Sequence, residues 1–293
     1  MSDYFYNEEQ DREIVSNLVN DFSRRREERK STELAWELNM NFLLGNQYCA
    51  ISNRGEIDEL ETAYAWECRE VYNHIGPIID TRLAKLAKVR PGACVRPSSS
   101  DERDIACAKL SKAVIDYASA KHNLSSLISE ATAWSEVTGT VFYKVVWSSD
   151  SGDLIAEEEG KKLYEGDIDI SVCPPFEIFP DSCGARDIDA CTSIIHARVM
   201  PANLIEDKYG IKVNGEDLDT FTFDNDNFLA GFSGRSNIRK VTKMVKHNHC
   251  LILERYERPT GEHPNGRLTI VCQDKLLFDG ELPYINGDNS SRT

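Results

Sequence analysis

The stretch Trp134–Trp147, WSEVTGTVFYKVVW, holds the transition on which the fold turns. Upstream of Gly139 the apolar residues Leu127, Ile128, Ala131 and Trp134 recur at helical spacing. Downstream, Thr140 to Trp147 is dense in β-branched and aromatic residues, which suit a pleated strand better than a helix. The glycine between them is where one pattern stops and the other starts.

Working outward toward the N-terminus, the periodicity stays helical. Residues 7 to 44 read as a long helix, with Asn7 and Gln10 at capping spacing and a break near Ser31. Its apolar stripe runs through Ile14, Val15, Leu18, Val19 and Phe22, resumes at Leu34, Leu38 and Phe42, and stops at Gly45. Asn46 to Tyr72 is less regular. A second helix starts at Pro77, with Ile79, Leu83 and Leu86 on one face and Arg82, Lys85 and Lys88 beside them, and Pro91 ends it. Cys94 to Arg96 is a short extended segment. Ser99 and Glu102 open a third helix containing Ile105, Leu110, Val114 and Tyr117, and Asn123 caps a fourth.

Toward the C-terminus the pattern is strand-like. Strands are expected at Leu154–Glu157, Asp167–Cys173, Ser193–Met200, His249–Tyr256 and Arg267–Cys272, with Leu276–Phe278 completing a hairpin. A short helix follows Pro201 and closes at Gly210, and Asn214–Asn227 reads as an acidic loop. The class is α+β: long N-terminal helices over residues 1 to 139, then a mostly antiparallel β-rich region over 140 to 284, then a polar tail over 285 to 293. The expected core includes Ile79, Leu83, Leu86, Leu110, Val114 and Phe142.

Composition narrows the class of function. The chain has 293 residues, 41% hydrophobic and 28% charged, enough for a sizeable core. No run of 18 apolar residues exists to span a bilayer, and the acidic start MSDYFYNEEQDRE lacks a secretory pattern, so a cytoplasm-like compartment is expected. Nine scattered cysteines without a CxxC pair argue against a disulfide framework or zinc knuckle. The net charge of -15 argues against tight gripping of phosphates, so any DNA partner is expected to be guided loosely.

Catalytic signatures are sparse. No phosphate-cradling glycine loop, GxSxG elbow or HExxH pair occurs. His247, His249 and Cys250 cluster near a strand start, but a third and fourth metal ligand are not apparent, and surface or half-buried strand residues are the preferred reading. Pro180-Asp181 followed by Glu206 and Lys208 matches a PD…ExK nuclease pattern, which needs two carboxylates on one metal. Glu206 and Lys208 fall on a short helix, where positions two apart face different ways, so loop and helix-surface roles are preferred. Arg82, Lys85 and Lys88, and likewise Arg24, Arg25 and Arg26, read either as contacts to phosphate or a neighbouring subunit, or as solvated faces, the latter favoured. No enzyme activity, metal or cofactor is expected.

The order of local motifs carries the reading further. FLLGNQY at Phe42–Tyr48 resembles the F-x-x-G-x-Q-aromatic element of portal proteins from short-tailed bacteriophages, where it also follows a long helix. Tyr72–Pro97, with Asn73, an apolar and basic helix and the Arg90-Pro91 pair, is similar to the family's next block. Asp101–Ala118, Trp134–Trp147 and Asp169–Ser182, with Asp181, resemble the blocks after it, and the helix ending Lys208-Tyr209-Gly210 also fits. The resemblance covers most of residues 8 to 284. Phe42, Gly45, Gln47, Tyr48, Asn73, Pro91 and Asp181 stand at family-like structural positions. Tyr48 stands where tryptophan is common, and Asp181-Ser182 where Asp-Pro is common.

The resemblance implies a wing segment of a dodecameric ring at one vertex of the virion capsid. Such a ring passes double-stranded DNA during packaging and ejection. It docks terminase, adjoins capsid and scaffold proteins, and receives adaptor and tail proteins. The family's stem helices and clip follow the segment matched here, so residues 1 to 293 alone are expected to be monomeric or only loosely associated. A metal-dependent nuclease and another type of virion structural protein are the competing expectations.

Overall fold

The computed structural model of the chain describes residues 8–60, 66, 68–89, 92–148, 151–158, 161–182, 187–220 and 244–282. The expected cap at Asn7, the helix stop at Pro91, Cys183, residues 221 to 227 of the acidic loop and the tail over 285 to 293 lie outside them.

The chain is α+β, and every strand pairing among the described residues is antiparallel. The change from helix to strand falls at Gly139, which ends α4 (Leu124–Thr138) in the left-handed region at φ 81° and leads into β3 (Phe142–Ser148). Side chains with a Cβ resist that backbone, so a glycine sits where the two periodicities meet. The compact units do not follow this boundary. One consists of Met1–Arg69 with Phe176–Thr293, the other of Glu70–Pro175.

The first unit is a sheet covered on both faces. Its strands lie in the order β12 (Lys275–Glu281), β11 (Arg267–Cys272), β10 (Met244–Glu257), β8 (Ser193–Pro201), β7 (Ile178–Pro180), and β9 (Glu216–Thr220) also pairs with β10. Helix α1 (Glu8–Leu43) lays Val15, Leu18 and Phe22 on Phe179, Ile195, Ala197, Leu253 and Val271. On the other face, α5 (Ala202–Tyr209) packs Ala202 and Ile205 on Met200, Cys250, Ile252, Leu268, Ile270 and Cys272. Leu253 and Ile252 therefore point to opposite cores. A strand covered on both sides has no polar face, which is why LTIVC and CLIL read as continuous apolar runs. Each fully buried Leu or Ile here contributes about 1.5–3 kcal/mol.

Helix α1 is unbroken, contrary to the break expected near Ser31. Charge pairs one turn apart carry it through that region, with Arg24 bonded to Glu28 and Arg29 to Glu33. The arginine run is also only partly solvated. Arg25 is 3% exposed and donates to the carbonyls of Phe179 and Ser193, to Ser193 Oγ and to Asp21. Arg29 is buried, donates to the carbonyls of Ile178 and Phe176, and lies 3.6 Å over the Phe179 ring. The two guanidinium groups thus give charged hydrogen bonds to backbone carbonyls of β7, of the turn before it and of the start of β8, tying α1 to the edge of the sheet.

The second unit gathers around α4. Helix α2 (Ile75–Leu86), α3 (Glu102–Lys121) and β6 (Asp167–Cys173) all pack on it. Strand β3 pairs with β6, and β4 (Leu154–Glu158) pairs with β5 (Lys161–Tyr164). Backbone bonds from Glu165 to Asp153 and from Gly166 to Ser151 join the two pairs into one long two-stranded arm. Neither pair gains a third strand among the described residues.

Several local expectations need correction. Leu86, Leu110 and Val114, assigned to the core, are exposed, while Ile79, Leu83 and Phe142 are half-buried. Helix α2 begins at Ile75 rather than Pro77, because Asn73 Oδ1 accepts the backbone N–H groups of Ile75 and Gly76. Ser99 bonds Asp104 rather than closing a box with Glu102, and Asn123 enters α4 left-handed at φ 47° without a side-chain cap. Cys94–Arg96 is not a strand. The small hairpin of β1 (Cys49–Ile51) with β2 (Ile57–Glu59) replaces part of the irregular region, and Glu216–Thr220 of the expected acidic loop is a strand.

Candidate functional site

The residues singled out by sequence fall into three groups with different fates. The first group is structural. Phe42 is half-buried, and Gly45 turns the chain out of α1. Asn46 is buried and bonds Asn41 through side chain and backbone, and Gln47 N–H returns to the Gly45 carbonyl. Tyr48 lies at the surface with the Arg69 guanidinium 4.9 Å over its ring. FLLGNQY is therefore a helix terminus and turn that delivers the chain into β1. Asn73, one residue before the N-cap His74, accepts the first two N–H groups of α2.

The second group is the nuclease pattern, and the geometry does not assemble it. Asp181 follows β7, and its carboxylate accepts from Thr192 N–H and Oγ at the start of β8. Burial pushes this carboxyl up, but the Thr192 bonds more than offset it and hold it below the ordinary aspartate value. Glu206 and Lys208 belong to α5, which follows the other end of β8, a nine-residue strand about 25 Å long. Asp181 is thus a latch between two strand ends. The histidine cluster also separates. A bulge between Lys246 and His249 places Asn248 in the left-handed region, His247 Nδ1 stands 2.9 Å from Asp217, and Cys250 turns inward to the Asn214 carbonyl. Among the described residues no cluster of three His, Cys, Asp or Glu side chains is placed to hold a metal ion.

The third group is the basic stripe of α2. Arg82 makes a two-pronged bond to Glu136 of α4, at 2.8 Å to each oxygen, so it pins α2 to α4. Lys85 and Lys88 are exposed.

What sequence reasoning missed is the surface around that stripe. Helix α3 buries Ala108 toward the unit's centre, yet its opposite side presents Leu110, Val114 and Tyr117, which are 67%, 52% and 63% exposed. Cys107, exposed as well, continues this row at spacings of three and four residues. The arm presents a second open face. Cross-strand pairs Tyr143–Val172, Val145–Ile170 and Trp147–Ile168 put six apolar side chains on one side, and Tyr143, Val145 and Trp147 are exposed. Its other side is half-buried and carries Phe142, Val146 and Asp167, the last bonded to Lys121 of α3. Trp147 lies flat against Gly166, where a Cβ would collide with the ring. Leu154, Ile155 and Leu163 farther along the arm are also exposed. The sequence shows apolar residues on two opposite sides of α3, but not which of the two sides packs within the chain.

A buried ionic group in the first unit is drawn from β8, β10 and the turn before β7. His196 lies between Glu177 and Glu254, at 3.4 and 3.5 Å, while Arg198 and Tyr256 bond Glu254. No helix among the described residues is long and apolar enough to cross a membrane. Comparison of the chain with protein-family models and with curated protein sequences finds no match.

Proposed function

We propose that the chain is a structural subunit of a portal ring, the connector at one vertex of a tailed-phage capsid through which double-stranded DNA is packaged and ejected. The ordered motifs along residues 8 to 284 give the reading its family. The observation that carries the subunit role is the pair of open apolar faces on the Glu70–Pro175 unit. Contiguous exposed aromatic and aliphatic side chains mark protein interaction surfaces rather than the outside of a solitary protein. The arm adds to this, since a two-stranded ribbon is marginally stable in water unless something covers it.

In this role the chain acts in the virion, and during assembly in the host cytoplasm. Its partners are further copies of itself, terminase, the capsid and scaffold proteins, and adaptor or tail proteins. The role uses no catalysis and no cofactor. The net charge of -15 suits a conduit that must not hold a moving polyanion. Electron microscopy of the full gene product tests the reading. Closed rings with an axial channel are expected. A monodisperse globular monomer that cleaves DNA with Mg²⁺, and loses that activity in Asp181→Ala, would overturn it.

A further inference from the structure

We propose that the two open faces of the Glu70–Pro175 unit cover each other between copies: the Cys107–Tyr117 row of α3 on one chain lies along the Tyr143–Trp147 face of the arm on the next. The inference rests on the reading of the chain as a ring subunit and names the surfaces that build it.

Dimensions match first. From Cys107 to Tyr117 the helix rises about 15 Å, and from Tyr143 to Trp147 the strand rises about 14 Å. A two-stranded ribbon, with strands about 4.8 Å apart, is about as wide as the helix that would lie on it. The chemistry matches as well. Leu110, Val114 and Tyr117 are apolar, and so are all six side chains of the arm face. A chain turned so that its own helix met its own arm this way is excluded by the packing, because the α3 row lies opposite the side holding Ala108 and the arm face opposite the side holding Asp167.

One contact of this kind covers both faces. It is also heterologous: each copy offers its helix to one neighbour and its arm to another, so the contact propagates and can close into a ring. A symmetric pairing of α3 with α3 would leave the arm bare. The side chains named bury on the order of 1,000 Å² in total, the low end for specific interfaces. Association of the chain by itself is therefore weak and concentration-dependent.

Sedimentation velocity on purified chain with two surface variants tests this. Leu110→Glu disables the helix face and Val145→Lys the arm face. Both side chains point to solvent, and far-UV circular dichroism checks folding, with Val114→Lys and Tyr143→Lys as replacements for a variant that loses its signal. Wild type is expected to associate as concentration rises, and Cys107 to become protected from alkylation in parallel. Each variant alone is expected to associate at least about thirtyfold more weakly. Mixed, the two retain one intact helix face and one intact arm face, and are expected to form one-to-one pairs that grow no further. Wild type that stays monomeric, a single variant that associates as wild type does, or a mixture that stays monomeric would each overturn the contact. Rings from a full gene product carrying Leu110→Glu would overturn the contact too, while leaving the portal reading in place.

Discussion

At the scale of single residues, the buried arginines of α1 decide how the first unit holds its edge. Removing the Arg25 guanidinium takes a charged donor from the Phe179 carbonyl and from the Ser193 carbonyl, which keeps the Asp181 N–H, and leaves Asp21 without its bidentate partner. Arg25→Ala is expected to cost about 2–3 kcal/mol in urea unfolding, because charged hydrogen bonds are lost in a site closed to water. Arg24→Ala, one residue away with an exposed side chain, is expected to leave the urea midpoint nearly unchanged. Equal losses would refute this division. The sequence offered no means of separating the two, since Arg24, Arg25 and Arg26 form one charge run and only tertiary packing selects the member that turns inward.

The same residues set the acid limit. Burial pushes the Asp21 carboxyl up, but bonds from Arg25 and Arg24 more than offset it and hold it below its ordinary value. For Asp279 burial again acts upward, and the bonds from Arg267 and Thr269 prevail. Both carboxyls are lower in the folded than in the unfolded state. Their stabilisation is complete above the unfolded value near 4 and is lost as pH falls through the folded values. The urea midpoint is therefore expected to drop below about pH 4, and Asp279→Asn to flatten that drop. A midpoint unchanged down to pH 3 would contradict the assignment.

At the scale of elements, Gly139 is the hinge between the two periodicities. Its φ of 81° strains any residue with a Cβ, so Gly139→Val is expected to destabilise by about 1–2 kcal/mol or more, read from the thermal midpoint. A neutral substitution would mean that the helix ends elsewhere in solution. Strands with a strong local signal, such as the β-branched, apolar run of Arg267–Cys272 and the alternating Asp167–Cys173, were legible to the residue. Short elements defined by their partners were not: β7 has three residues, and β5, of four residues, pairs with β4. Helix α3 was legible as a helix but not in its orientation. Leu110 and Val114 satisfy the helical period as well as Ile105 and Ala108 do, and the period alone cannot tell which side faces its own chain. The candidate surface was hidden for the same reason, since an apolar row reads as core until the fold places it outside.

At the scale of the whole molecule, charge and open surface point to the same behaviour. With a net charge of -15, binding to double-stranded DNA is expected to be weak and to fall steeply with salt, as filter binding between 50 and 200 mM would register. Tight, salt-insensitive binding would require a segregated basic face that Arg82, already bonded to Glu136, does not supply. The central claim is that copies join through unlike faces and so can form a ring. Native mass spectrometry at rising concentration tests it most directly. The account predicts a ladder of monomer, dimer, trimer and higher species, ending for the full gene product in one closed ring of fixed number. A series that stops at dimer, or a monomer at every concentration, would contradict it.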